Sequence, residues 1–356
     1  MSVADDLAKA ILGAVGANDE ELEVPGYIDT GYEPLNEILS GDPKNGGIPM
    51  ARIIEIFGPS SSGKTWLATQ IMRRSQQMGG VALFMDHELT FQVPFAVRSG
   101  LNDQFPFFIY KRPDTWESSN TMALQAAEAI RKSKKLDPLA PIVVVFDSVA
   151  AMIPQSVFEK GITDYNMNDT TALARVSSTT LKAINQQAAK LNITIIYLNQ
   201  IRTTPGVVYG DPTRTPGGSA FEFYATHRLA LGKKFIYQKV GGKNEIVGQL
   251  MGIETKKNKL ARPRQEVDLR LQFEDDGMTT VNLTLSLIEH AIAVGKLKKL
   301  TTGRVEWVNG NSYPPKQLAE IIDAGGLKPV LLHILYPSHY PAPAVAATAV
   351  PAPAAA

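Results

Sequence analysis

Short apolar runs alternate with longer amphipathic stretches over the middle of the chain. Val and Ile dominate the strand-like runs, which are Arg52–Phe57, Val81–Met85, Phe107–Tyr110, Ile142–Asp147 and Ile193–Asn199. Between them, apolar residues recur at helical spacing, most clearly over Thr115–Lys135 and Thr170–Leu191. Buried strands that alternate with helices are typical of a mostly parallel sheet covered on both faces. The pattern therefore predicts an α/β core.

The pattern becomes richer in strands after Gly217. We predict antiparallel strands, added to the core sheet, over His227–Leu231, Phe235–Lys239, Ile246–Glu254 and Val267–Phe273. Residues 280–335 predict a small, mainly helical C-terminal domain. Pro and Ala dominate residues 336–356, which carry no Asp, Glu, Lys or Arg, so we predict a disordered tail there.

The first 24 residues stand apart from this core. Residues 3–15 predict a short amphipathic helix with Leu7, Ile11 and Val15 on one face, and residues 18–23 form an acidic linker. A detached helix must bury its apolar face on its own core or on a neighbouring subunit. We therefore predict an oligomerisation arm over residues 1–24, followed by a core over residues 25–279.

Composition and charge narrow the possible classes of protein. The 356 residues include no cysteine, which excludes disulfides and cysteine-ligated metal centres. No apolar stretch approaches the ~20 residues of a membrane span, and the acidic N-terminus lacks a secretory leader, so we expect a cytoplasmic protein without a membrane partner. Residues 200–264 contain twelve Lys or Arg and four Asp or Glu, which suits either a polyanion partner or an ordinary solvated face.

One segment carries a specific chemical signal. It fits the P-loop template and consists of Gly58, Pro59, Ser60, Ser61, Ser62, Gly63, Lys64 and Thr65. An apolar strand precedes it and a helix-compatible stretch follows, which is the context that this motif requires. Its backbone N–H groups can surround phosphate oxygens, Lys64 can reach the β- and γ-phosphates, and Thr65 can ligate Mg²⁺. The segment predicts that a nucleoside triphosphate binds with Mg²⁺.

Three polar residues follow other apolar strands, at the sheet edge where α/β proteins place ligands. Asp147 ends a run of Val and Phe in the Walker B arrangement and can bind Mg²⁺ through water. Glu88 either polarises the water that attacks the γ-phosphate or is an ordinary surface charge, with Asp86 as a helix N-cap. Gln200 can hydrogen-bond a γ-phosphate and lose that bond on hydrolysis, as a switch does. A loop rich in Gly, Pro and Thr, Thr203–Ser219, follows it.

These residues carry a family resemblance. The chain resembles RecA-family recombinases in the phrases GPSSSGKT, FMDHE, VVVFDSVAA, LNQIR, GVVYGDPTRTPGGSAFEFYA and KKNKLARP, which occur in family order over about residues 25–275. The resemblance implies a RecA-type ATPase that uses ATP and Mg²⁺. It further implies a helical filament of copies of the chain on single-stranded DNA, which pairs with homologous double-stranded DNA and exchanges strands. Single-strand-binding or loading proteins are compatible further partners.

The resemblance also assigns roles to single residues. It makes Glu88 the hydrolytic glutamate, places Phe95 against adenine, and lets Gln200 couple the γ-phosphate to a DNA loop. Lys257 and Lys259 match lysines that reach the ATP of the adjacent subunit. Two loops, at about residues 155–170 and 202–219, and their flanks supply the DNA-binding set, namely Met167, Arg175, Lys182, Arg202, Gly217, Gly218 and Ser219.

The chain departs from the family pattern at three positions. Pro205 replaces a branched apolar residue, Glu222 replaces an interface lysine, and Gln92 replaces an acid that contacts adenine. Two rival functions stay open at this point. One is a ring-forming motor of the same fold, such as a replicative helicase, against which the N-terminal helix and the long second loop stand. The other is a nucleotide-switched scaffold whose basic segment binds protein.

Overall fold

The computed structural model describes residues 24–160, 162–164, 166–203 and 213–343. Most of the predicted N-terminal arm, the centre of the second loop with Pro205, and residues 344–356 lie outside these ranges. Among the described residues, the largest sheet has nine strands. Their order is β13 (Thr279–Val281), β12 (Glu266–Phe273), β11 (Lys243–Asn258), β10 (His227–Val240), β3 (Ile53–Gly58), β7 (Ile193–Gln200), β6 (Ile142–Asp147), β4 (Val81–Asp86) and β5 (Phe108–Lys111). This sheet forms the centre of the molecule.

The parallel half of the sheet is built from the predicted apolar runs. Its strands are β3 (Ile53–Gly58), β4 (Val81–Asp86), β5 (Phe108–Lys111), β6 (Ile142–Asp147) and β7 (Ile193–Gln200). Every residue of β3, β4 and β6 is buried, because helices cover both faces of the sheet. Ile54 and Ile56 of β3 pack in one apolar cluster, and Ile53 packs in a second cluster on the opposite face. The prediction of a mostly parallel α/β core is confirmed.

The other half of the sheet contains β10 (His227–Val240), β11 (Lys243–Asn258), β12 (Glu266–Phe273) and β13 (Thr279–Val281). β10 runs parallel to β3, and the strands after it add antiparallel. The two strands predicted over His227–Lys239 are one continuous strand. The prediction failed because Gly232 and Lys233 interrupt the apolar pattern, although both remain extended and pair with β11.

Helices cover the sheet and supply most of the remaining core. The longer ones are α2 (Lys64–Gln77), α4 (Trp116–Ser133), α6 (Ala172–Leu191) and α8 (Leu283–Ala293). The shorter ones are α1 (Glu33–Ser40), α3 (Val93–Arg98), α5 (Gln155–Phe158), α7 (Ala220–Tyr224), α9 (Pro315–Ala324) and α10 (Lys328–Leu335). Within the described ranges, no helix is both long enough and apolar enough to cross a membrane.

Small elements complete the regular structure of the described residues. They are the strands β1 (Tyr27–Ile28), β2 (Ile48–Pro49), β8 (Arg202–Thr203), β9 (Thr213–Arg214), β14 (Val305–Glu306) and β15 (Ser312–Tyr313). Three 3₁₀ segments lie at Val149–Ala151, Ile162–Asp164 and Met167–Thr171. The last of these leads directly into α6, so the predicted helix start at Thr170 falls within this tighter turn.

The C-terminal helices share the main core. Leu285, Leu318 and Leu331 belong to the same buried cluster as Leu35 of α1 and Leu269 of β12. The three helices within residues 280–335 therefore pack in the same core as the sheet. A C-terminal domain with these bounds stays a prediction.

The start of the predicted disordered tail is wrong. Tyr336 is buried in the main cluster, and its ring lies 6.4 Å from the ring of Tyr340. The prediction rested on the Pro and Ala content of the whole segment from residue 336. It overlooked the two tyrosines, which hold the first residues of this segment against the core.

Candidate active site

The P-loop lies between β3 and α2, as the sequence predicts. Gly63 precedes the helix with φ of 95°, a left-handed conformation that favours glycine. A Cβ atom at this position would lie 2.8 Å from the sulfur of Met251 on β11. The glycine is therefore required both by the backbone conformation and by the close approach of the neighbouring strand.

The interior of the P-loop fits a polyphosphate. No side chain caps the start of α2, so its first N–H groups are directed at the loop without a side-chain acceptor. The hydroxyl of Ser62 is buried without a hydrogen-bond partner. Lys64 donates from Nζ to the carbonyl oxygens of Gly58 (3.1 Å) and Pro59 (2.8 Å), and burial lowers its pKa. These donors are the groups that a triphosphate needs.

Thr65 and Asp147 meet beside the P-loop. The hydroxyl of Thr65 donates to Oδ2 of Asp147 at 2.7 Å. Burial, together with the negative charges of Glu88 and Asp86, raises the pKa of Asp147 to about 6, while the hydrogen bond from Thr65 opposes the shift. A hydroxyl and a carboxylate side by side are the oxygen ligands that Mg²⁺ prefers, directly or through water.

Glu88 and Gln200 contact each other at the same sheet edge. The amide Nε2 of Gln200 donates to Oε1 of Glu88 at 3.0 Å, and the hydroxyl of Ser148 donates to the same oxygen. The backbone N–H of Glu88 donates to the carbonyl of Asp147 at 3.0 Å. The structure thus brings three predicted residues together. Ser148 was missed, although its place directly after Asp147 is a signal that could have found it.

A cleft of about 310 Å³ opens beside Thr65. Phe95 lines it with 44% of its surface exposed, and the guanidinium of Arg98 lies 5.7 Å from the Phe95 ring centre. The indole N–H of Trp66 donates to the carbonyl of Thr279 at 3.2 Å and so joins α2 to the opposite wall. Gln92 lies in the same lining. An exposed aromatic face in a cleft next to a P-loop can stack against a nucleotide base.

Lys257 and Lys259 are directed at the last turn of α7. Lys257 donates from Nζ to the carbonyl oxygens of Glu222 and Phe223, the latter at 3.0 Å, and Lys259 donates to Phe223 at 3.3 Å. Burial and the nearby charges of Lys259 and Arg228 lower the pKa of Lys257 to about 8. Lys257 lines a basic cleft of about 380 Å³. Concentrated positive charge of this kind suits an anion.

One further cation contacts the P-loop and was not predicted. Lys233 of β10 donates from Nζ to the carbonyl oxygen of Ser60 at 2.7 Å. Its place in a run of basic residues gave no indication of this contact, because the contact depends on β10 being the neighbour of β3.

The predicted residues of the first loop lie around the start of α6. Met167 is 88% exposed on the 3₁₀ segment, and Arg175 donates to the carbonyl oxygen of Asn168 at 2.9 Å. Arg175 and Lys182 are both exposed and lie seven residues apart, so they project from one face of the helix. The structure therefore presents two cations along one exposed face.

The second loop is held at both ends. Arg202 is exposed at its start and pairs with Arg214 across the short β8–β9 ladder. At its end, the hydroxyl of Ser177 on α6 donates to the carbonyl of Gly217 at 2.7 Å. Gly217 and Gly218 have φ of 90° and 70°, and Ser219 precedes α7. The two loops are thus joined through α6.

Comparison with known proteins decides the family. The sequence profile described as RecA N-terminal domain matches residues 10–279. The chain belongs to the RecA family. Its relatives include Protein RecA of Thermus thermophilus, 39% identical over 254 residues, which are 71% of this chain and 69% of the relative. Protein RecA of Geobacter sulfurreducens is 36% identical over 265 residues, or 74% and 72% of the two chains.

The chain is therefore a RecA-family recombinase, and its mostly parallel sheet with added antiparallel strands is consistent with a RecA-type core. The profile match ends at residue 279. It begins at residue 10, inside the predicted arm. The segments with the P-loop, Glu88, Asp147 and Gln200 therefore all lie within the match.

The raised pKa of Asp147 predicts a pH dependence. Below a pH of about 6, protons would compete with a Mg²⁺ ion for this carboxylate. We expect the affinity for a fluorescent ATP analogue with Mg²⁺ to be about tenfold lower at pH 5 than at pH 7. A fluorescence titration at both pH values measures it. The Asp147→Asn variant is the control for protonation of the nucleotide, and equal pH dependence in both proteins would contradict the assignment.

Proposed function

We propose that this RecA-family recombinase is a DNA-dependent ATPase that assembles as a helical filament on single-stranded DNA. In this state it pairs the strand with homologous double-stranded DNA and promotes strand exchange. The contact between Glu88 and Gln200 carries the proposal, since it joins a carboxylate beside the P-loop to the residue from which the second loop departs. Gln200 would thus contact the nucleotide on one side and lead into the DNA loop on the other.

ATP is the proposed nucleotide. The P-loop amides and Lys64 would hold its phosphates, Phe95 would stack on the base, and Thr65 and Asp147 would hold Mg²⁺, Asp147 through water. The metal ion would neutralise phosphate charge. Glu88 would accept a proton from the attacking water. A γ-phosphate would compete with Glu88 for the amide of Gln200, so binding of ATP would release that amide from its present contact.

The filament is proposed from groups that would make their functional contacts on an adjacent subunit or on DNA. Lys257 lines a basic cleft, and Lys259 donates to the same Phe223 carbonyl as Lys257. Both lysines would contact the γ-phosphate of an adjacent subunit. Residues 1–24 would form the arm that docks on a neighbour. Met167, Arg175, Lys182 and Arg202, with the Gly217–Ser219 turn, would contact the DNA backbone. Several of these cations would make binding strongly dependent on salt.

ATP hydrolysis with and without single-stranded DNA tests this function. We expect oligo(dT) to raise the turnover at least about tenfold, because assembly on DNA completes each site. A scaffold that uses ATP as a switch would show the same turnover in both conditions, and that result would contradict the proposal. Electron microscopy of the same samples separates a filament from a closed ring, the form expected of the rival motor.

A further inference from the structure

A carboxylate lies in the middle of the sheet, three residues before the P-loop. Glu55 of β3 is 0% exposed. Its two oxygens have different partners: Oε1 accepts from Nδ2 of Asn199 at 2.9 Å, and Oε2 accepts from Nε of Arg228 at 2.6 Å. A buried carboxylate is costly unless it is paired, so both partners are held tightly to this position.

On one side, Asn199 joins Glu55 to the start and the end of the second loop. Its Nδ2 also donates to the carbonyl of Pro216 at 2.9 Å, directly before the Gly217 turn. Its Oδ1 accepts from the backbone N–H of Gln200 at 3.0 Å. Both amide hydrogens of Asn199 are engaged, one by Glu55 and one by Pro216.

On the other side, Arg228 joins Glu55 to the basic cleft. Its guanidinium lies 3.3 Å from Oε1 of Glu222 and 5.0 Å from the ring centre of Phe57. The carbonyl of Glu222 accepts from Lys257. Glu55 lies opposite Arg228 in the β3–β10 pairing, and Arg228 lies opposite Lys257 in the β10–β11 pairing. Together with Asn199 on β7, these residues form one polar row that crosses four neighbouring strands.

This row restricts how its members can move. A shift of the Gln200 backbone carries Asn199 with it, and Asn199 cannot move alone without breaking a bond to Glu55 or to Pro216. Breaking the bond to Glu55 would leave a buried carboxylate with one partner fewer, which is unfavourable. A displacement at the nucleotide side is therefore passed to the end of the loop and to the cleft.

We propose that Glu55 is a positioning residue that couples the nucleotide sensor Gln200 to the DNA loop and to the inter-subunit lysines. Glu55 touches neither nucleotide nor DNA and acts through Asn199 and Arg228. The inference rests on the proposed function, because it needs ATP and DNA to bind the same chain. Coupling of this kind is reciprocal, so it appears equally in the affinity for DNA and in the affinity for nucleotide.

Glu55→Gln tests the coupling. The amide keeps the size of the side chain but must direct an N–H at either Arg228 or Asn199, both of which are donors. The quantity to measure is the ratio of the dissociation constants for fluorescent oligo(dT) with ADP and with a slowly hydrolysed ATP analogue. We expect this ratio to fall at least about fivefold in the variant. Nucleotide affinity without DNA should change less than about twofold, since the P-loop is unaltered.

Asn199→Ala is the second variant, and it decides the question if Glu55→Gln does not fold. It removes the donor to Glu55 and Pro216 but leaves the pair of Glu55 with Arg228, and the ratio should fall in it too. Glu289→Gln is the matched control, since it also removes the carboxylate of an Arg–Glu pair, with Arg270, outside this row. A purely structural role would lower the melting temperature and leave the ratio unchanged.

The possible results distinguish a failure of the role of Glu55 from a failure of the proposed function. A wild-type ratio near one would contradict the proposed function and the role of Glu55 together. A wild-type ratio well above one that persists within about twofold in Asn199→Ala, and in Glu55→Gln where it folds, would overturn only the role of Glu55.

Discussion

The Glu88→Gln variant should bind ATP and single-stranded DNA normally and hydrolyse ATP about 10²–10⁴-fold more slowly. The amide cannot accept a proton from the attacking water. Its oxygen can still accept from Ser148 and Gln200, so the surrounding hydrogen bonds are retained. The loss should therefore appear in the chemical step and not in nucleotide affinity.

Single-turnover hydrolysis in the presence of oligo(dT), together with a nucleotide titration, measures this effect. Glu128→Gln is a suitable control, because Glu128 is an exposed carboxylate paired with Lys132 on α4. Its hydrolysis should match that of the wild-type protein. Turnover of Glu88→Gln within about tenfold of the wild type would mean that another group activates the water.

The local parts of this site could be predicted from sequence. The P-loop is one contiguous segment, and Glu88, Asp147 and Gln200 each follow an apolar strand. Parallel strands bring their carboxyl ends to one edge, so order along the chain was enough to find these residues. The assignment of Phe95 to the base came from the family resemblance, and the contacts between these side chains required the structure.

The row around Glu55 could not be predicted in this way. In the sequence, Glu55 is one polar residue in an otherwise apolar strand. The residues around it do not indicate which side chains will be its hydrogen-bond partners. The partners come from β7 and β10, which are distant in sequence and become neighbours of β3 only in the assembled sheet. The contact of Lys233 with Ser60 has the same origin. Such long-range pairs depend on strand order, which apolar periodicity does not encode.

The second large effect concerns the two halves of a site that subunits would share. Lys64→Ala removes the ammonium that contacts the P-loop carbonyls and should abolish ATP binding and, with it, tight DNA binding. Lys257→Ala/Lys259→Ala leaves the P-loop intact, so it should bind ATP while losing DNA-stimulated hydrolysis. Calorimetric titration and the ATPase assay distinguish the two losses. Unchanged nucleotide affinity in Lys64→Ala would contradict the P-loop assignment.

The lysines have an alternative role as contacts to DNA phosphates. In that case the slope of the logarithm of DNA affinity against the logarithm of salt concentration should be smaller in magnitude by roughly one to two in the double variant. If the lysines instead act on the ATP of the adjacent subunit, the salt dependence should stay close to that of the wild type, since the DNA contacts of the loops are unaltered.

Mixing the two inactive variants tests the central claim most directly, namely that ATP is hydrolysed between subunits assembled on single-stranded DNA. In an equal mixture, about a quarter of the interfaces pair an intact P-loop with intact lysines. We predict that DNA-stimulated ATPase activity recovers towards about a quarter of the wild-type value, although each variant alone is inactive. No recovery in filaments that contain both variants would contradict the claim.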